Sequence, residues 1–235
     1  MSNQSGSAIF YILIAIILFA ALGFAFSQTM NSSASNLTKE EARVYAQDVI
    51  SYANRLSRGV QRVMAVGGCS ENDISFFLTT NTLLAAYEHT PEVDDKCKVF
   101  HESGGSITWL TAPEGVNDGS DWIFTGNNRI RDIGSYLDGT GNELLAFLPA
   151  VDSRVCEQIN QILNITKSGD PIPLDDADLS TDLFTGEYST SISRAIYKPS
   201  AAYVGKSSAC FKTDTIDGAT PSGDVYYFYH VLVAR

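Results

Sequence analysis

No lysine, arginine, aspartate or glutamate precedes Lys39. That absence excludes the basic flank that orients a membrane helix or opens a secretory signal. Basic residues are scarce throughout. The 16 Lys and Arg stand against 27 Asp and Glu, a net charge of −11, which disfavours nucleic acid and anionic lipid headgroups as partners. The three histidines (His89, His101, His230) are scattered, and none of the four cysteines belongs to a CxxC pair, so zinc-ligand spacing is absent. The sequence SAAYVGKS at 200–207 ends like a phosphate-binding loop, but Ser200 replaces its first glycine and no strand–loop–helix pattern surrounds it. The carboxylates Asp175, Asp176, Asp178 and Asp182 lack the glycine and terminal glutamate of an EF-hand loop. They read as a solvated loop, with Ca²⁺ as the alternative. His101, Asp121 and a serine make a triad only on paper, because nothing in their spacing supports one. No catalytic, cofactor or metal site is expected, and the chain reads as a non-enzyme.

One apolar run stands out. Ser7 to Phe26 carries no charge, and the 19 residues from Ala8 to Phe26 would span roughly 28 Å as a helix, close to the apolar thickness of a bilayer. The reading is an uncleaved anchor or assembly helix. A cleaved signal ending near Ser27 and a buried core helix are the competing readings. The expected organisation is a leader at 1–6, a transmembrane or assembly helix at 7–26, a polar connector at 27–38, an amphipathic helix at 39–66 and a globular head at 67–235.

The amphipathic helix has the clearest local pattern. Thr38 and Glu41 have the spacing of a capping box. Ala42, Ala46, Val49, Ala53, Leu56, Val60 and Val63 then recur at alternating intervals of four and three, before Gly67-Gly68. Beyond it, Asp73–Leu78 leans to strand. Gly104-Gly105 and Gly126-Asn127 read as hairpin turns, and Asp152 caps a second helix. Val225–Ala234 is apolar on both faces and is expected in the middle of a sheet.

An even cysteine count beyond an apolar helix suggests two disulfides. Four cysteines allow three connectivities. The pairing chosen is Cys69 with Cys97, closing a local loop, and Cys156 with Cys210, tying a helix to the C-terminal strands.

Gly6, the small Ser7 and the unbroken apolar run leading into an amphipathic segment resemble the type IV pilins and pseudopilins. Tyr11 stands where that family carries a glutamate. The resemblance implies cleavage after Gly6, a mature N-terminus at Ser7, and an α+β fold whose long N-terminal helix, transmembrane then amphipathic, packs on an antiparallel sheet. It implies a filament subunit assembled through that helix, with Ala8, Tyr11, Ala15, Ala20, Ala21 and Gly23 on it. Expected partners are membrane lipid and other such subunits. The expected location is the cell membrane with an extracytoplasmic head, or a surface filament. The alternative is a non-polymerising single-pass envelope protein whose head binds a ligand or partner.

Overall fold

The computed structural model describes residues 14, 37–134, 141–176, 178–189, 195–196 and 202–235. The chain divides into two units, Met1–Leu37 and Thr38–Arg235. In the first, Ile14 is helical. The expected processing site at Gly6 and Ser7, the helix at 7–26 except for Ile14, including its Ala8, Tyr11, Ala15, Ala20 and Gly23, and most of the 27–38 connector lie outside the described residues.

The second unit starts with helix α1, Lys39–Ala65. The Thr38 N–H donates to Glu41 Oε2 at 2.8 Å, and the Glu41 N–H donates to Thr38 Oγ1 at 3.2 Å. This reciprocal cap satisfies orphan donors and sets a true helix start. Every residue of the predicted apolar stripe is buried. Gly59 lies on the same side because Ile107 presses there. A Cβ at Gly59 would sit 2.4 Å from Ile107 Cγ1. Gly59→Ala should therefore destabilise the chain by about 1–3 kcal/mol, although alanine favours a helix. Urea unfolding tests this, and a gain in stability would show that Ile107 yields.

Six strands follow, with a second helix between them: β1 Ile123–Ile130, β2 Glu143–Leu148, α2 Ser153–Ile162, β3 Leu174–Asp175, β4 Ala195–Ile196, β5 Ser208–Thr213 and β6 Val225–Val233. The sheet order is β3-β5-β6-β2-β1-β4. The inner four strands are antiparallel, whereas β3 on β5 and β4 on β1 are parallel. The sheet curls into a nearly closed, barrel-like form.

Alternation along the strands divides two cores. Leu144, Ala146, Leu148, Cys210 and Phe228 belong to the core that includes the buried sides of α1 and α2. Leu145, Phe147, Ala209, Phe211, Tyr227 and Tyr229 belong to the other, which Ile130, Leu179, Ile196 and Tyr203 complete. β6 is thus interior and covered on both faces, as its composition predicts.

The expected fold class is corrected on two counts. The sheet is mixed rather than antiparallel. The helix against it begins at a capped Thr38 and is amphipathic, so no long transmembrane-then-amphipathic rod forms among the described residues. Local readings change for related reasons. Glu71–Asp73 and Leu84–Tyr87 are 3₁₀ turns, and Ser75 makes only an isolated bridge to Lys98. Gly104-Gly105 is no hairpin turn. A Cβ on either residue would fall 2.1–2.3 Å from the carbonyls of Lys98 or Val99, so these glycines permit close backbone approach. At Gly126 the chain bulges inside one continuous strand. Ile123 pairs with Phe147 and Asn128 with Glu143, setting one extra residue on β1.

Both disulfides are those expected, Cys69–Cys97 and Cys156–Cys210, and no cysteine is free. Asn160 reinforces the second. Its Nδ2 donates to the Cys210 carbonyl at 2.7 Å, and the Cys210 N–H donates to its Oδ1 at 2.9 Å. Among the described residues no helix is long and apolar enough to cross a membrane. The expected membrane location is corrected accordingly, and the disulfides point instead to an extracellular or otherwise oxidising setting.

Candidate functional site

A cleft of about 620 Å³ opens where segments from both cores meet. Three short stretches build it. In the first, Asn81 Oδ1 accepts the N–H groups of Leu83 at 2.9 Å and Leu84 at 3.3 Å. This winds the turn that leaves Leu83 outward, 58% exposed, and puts Tyr87 inward. The Phe124 N–H then donates to the Tyr87 hydroxyl at 3.0 Å, fastening the turn to β1.

In the second, Asn117 braces the loop before β1. Its Nδ2 donates to the carbonyls of Ser120 at 2.7 Å and Pro149 at 3.1 Å, which sets Asp121 and Trp122 against the cavity. In the third, Asn128 and Ser180 clamp each other. Asn128 Nδ2 donates to the Ser180 carbonyl at 2.8 Å, and the Ser180 N–H donates to Asn128 Oδ1 at 2.9 Å. Thr181 is held to Asp217 through its N–H and hydroxyl. Leu183 is left at the rim, 39% exposed. Trp109 enters from a segment held to α1 by Tyr52, whose hydroxyl donates to the Thr108 carbonyl and accepts the Leu110 N–H.

The lining is therefore aromatic and aliphatic: Tyr87, Trp109, Trp122, Ile123 and Tyr227, with Leu83 and Leu183 toward solvent. Asp121 is the only charged residue among the described lining residues. Its Oδ1 is buried without a hydrogen-bond partner, and burial pushes its carboxyl above the usual range. A cavity of this size with largely apolar walls and a single charged residue among the described lining has the character of a binding site.

No family model, no curated protein and no solved structure matches this chain. With the mixed sheet and the freshly capped α1, this overturns the pilin resemblance. The described residues carry no long helix continuing upstream of Thr38 and no purely antiparallel head.

The chemistry-bearing residues weighed in the sequence go elsewhere. His101 Nδ1 accepts the Ser103 N–H, and its Nε2 lies 3.6 Å from Asp95. It joins no triad with Asp121. Of the acidic run, Asp175 is buried in β3, where the Tyr203 hydroxyl donates to it at 3.2 Å. Asp178 accepts the Gly218 N–H at 2.7 Å, and Asp182 accepts from Asn127 and Ser180. Among the described residues no group of three or more His, Cys, Asp or Glu is placed to hold a metal ion.

Two groups not singled out in the sequence are buried in the sheet. Ser208 Oγ and His230 Nδ1 are hydrogen-bonded at 2.5 Å across a β5–β6 register pair. Burial drives the imidazole down to about 4, so it is neutral at ordinary pH. Glu143, fully buried in β2, is pushed the other way, to about 7. Neither lines the cleft, so both bear on stability.

A second cleft of about 530 Å³ is polar and holds Asp73, His89, Glu92, Asp94, Lys96 and Glu187. Several of its charges are already engaged. Asp73 accepts from the Ser70 N–H and hydroxyl, which hold its carboxyl below the usual range. Glu92 takes Lys98 at 2.6 Å. Burial lowers the His89 imidazole, with Asp73 opposing.

Proposed function

We propose that this protein is a disulfide-stabilised binding domain, not an enzyme, whose aromatic cleft receives a segment of a partner polypeptide. The observation that carries the reading is the pair of exposed leucines, Leu83 and Leu183, on an aromatic cavity where Asp121 is the one charged residue among the described lining residues. Exposed large apolar side chains are ordinary when isolated, but two on one cavity concentrate the gain from burial. The partner-binding alternative weighed from the sequence is thus preferred over the filament reading. The lipid and self-assembly expectations rest on 7–26, of which only Ile14 is among the described residues.

The chain reports its own occupancy, since both of its tryptophans line the cleft. Titrating the full-length oxidised protein with the neutral peptide acetyl-Leu-Leu-Nle-Leu-amide should give a saturable change in tryptophan emission. Leu83→Glu/Leu183→Glu should fold, because both positions are exposed, and should bind at least about ten-fold more weakly after two apolar contacts become charged. Absence of saturation in the parent protein, or equal affinity in the double variant, would overturn the reading.

A further inference from the structure

Residues 107–113 neither turn nor bend, and they belong to no strand. Along such a run the N–H and C=O of one residue point to the side opposite those of the next. Two contacts fix which side is which. The Tyr52 hydroxyl donates to the Thr108 carbonyl at 3.3 Å and accepts the Leu110 N–H at 3.0 Å. The even-numbered residues therefore turn their backbone groups toward α1. The odd-numbered residues turn theirs away, and the Ile107 N–H accordingly donates to the Val99 carbonyl at 3.2 Å.

Past Ile107 that outer edge is open. Among the described residues, the backbone N–H and C=O of Trp109 and Thr111 find no hydrogen-bond partner. Pro113 carries no N–H, so the edge stops there. Backbone groups without a protein partner must meet water, and an open edge is a template for a further strand. Because the opposite edge is tied to the buried Tyr52, this template is fixed before anything binds. Space for side chains adjoins it. Trp109 lines the aromatic cleft and also a cavity of about 540 Å³ that Leu78, Phe100 and Ile107 share.

We propose that the partner polypeptide adds as an extended strand along this edge, its backbone exchanging hydrogen bonds with Trp109 and Thr111 while alternate apolar side chains enter the aromatic cleft. This rests on the binding reading above and adds the mode of recognition. It selects a polypeptide over other apolar molecules, because a peptide backbone returns both a donor and an acceptor at strand spacing. Main-chain pairing then supplies affinity, and the cavities that meet at Trp109 supply the preference for apolar side chains.

Residue-resolved amide exchange on full-length oxidised protein, with and without saturating acetyl-Leu-Leu-Nle-Leu-amide, reads the alternation. Exchange at Trp109 and Thr111 should slow at least about ten-fold, as each N–H gains an acceptor, while Thr108 and Ala112 stay within about two-fold. The same peptide methylated at every backbone nitrogen keeps its side chains and should bind at least about ten-fold more weakly. Equal slowing at odd and even residues, no slowing at saturation, or equal affinity of the methylated peptide would overturn the inference and leave the binding reading intact. A parent peptide that never saturates would overturn the binding reading itself, and this inference with it.

Discussion

Replacing Cys156 and Cys210 together by alanine is expected to cost roughly 4 kcal/mol of stability, and replacing Cys69 with Cys97 roughly 3.5 kcal/mol. The difference follows from the chain between the partners, a separation of 54 residues for the first bridge and 28 for the second. A longer closed loop removes more freedom from the unfolded ensemble, though only logarithmically. The two loops do not overlap in sequence, so their effects should add. Together they reach about 8 kcal/mol, a large part of the 5–15 kcal/mol that holds a typical domain. The reduced chain should therefore be marginal or unfolded.

The Cys156–Cys210 variant loses more than a loop constraint. Both sulfurs are fully buried between α2 and β5, where alanines leave a void. The Asn160 clamp remains and should keep α2 in register with β5. The variant should thus be weakened rather than rearranged. Urea unfolding of the parent and the two double variants, with and without reductant, checks the order and the size. A loss below about 1 kcal/mol for the longer bridge would mean that the unfolded chain is already held compact by other contacts.

The elements legible in the sequence are those whose cause is local. The α1 stripe recurs within one helix, and its capping box spans four residues. The β6 run is apolar on both faces because both faces are covered, and composition alone carries that information. What could not be read depends on distant backbone. β3 and β4 are two residues each, and their parallel pairing arises from where a long connection docks. Glycines mislead for the same reason. Gly104, Gly105 and Gly126 look like turn residues, yet close contact with Lys98, Val99, Phe184 or Tyr188 is what excludes a side chain there.

The cleft is the extreme case. Its walls come from short stretches between Leu83 and Tyr227, none with a period of its own. Asp121 entered the sequence reading only as a member of an unsupported triad. The available signal was faint: Leu83 and Leu183 each adjoin a buried apolar residue, Leu84 and Phe184, and the sequence does not say which of the two faces solvent.

The stability of the parent protein should be nearly independent of pH between about 4.5 and 6.5, because two buried groups oppose each other there. Glu143 accepts the Ile130 N–H through Oε2 at 2.8 Å, while its Oε1 is buried without a partner. Burial outweighs that hydrogen bond and the positive charges of Arg129 and Arg235, raising its pKa from 4.5 to about 7. The folded chain then holds this proton more tightly than the unfolded one, so stability falls as pH rises from 4.5 to 7. His230 works in reverse. Burial lowers it from 6.5 to about 4, so the unfolded chain binds the proton first and stability rises with pH across that interval. Each full change is worth about 3 kcal/mol, and in the shared window the slopes cancel.

A weaker opposed pair, Asp121 raised and His89 lowered, leaves the balance much the same. The exposed carboxylates held low, such as Asp73, Asp95 and Asp224, change their contribution only below the window. Glu143→Gln keeps an acceptor for Ile130 and removes the falling limb. It should be more stable than the parent by up to about 3 kcal/mol at pH 8, with stability rising from pH 4 to 6.5. His230→Asn should do the opposite, giving a profile that falls from 4.5 to 7. Urea unfolding of the three proteins across pH 4–8 decides. A Glu143→Gln profile that merely parallels the parent would show that the carboxyl is not held protonated in the sheet, and that the flatness has another source.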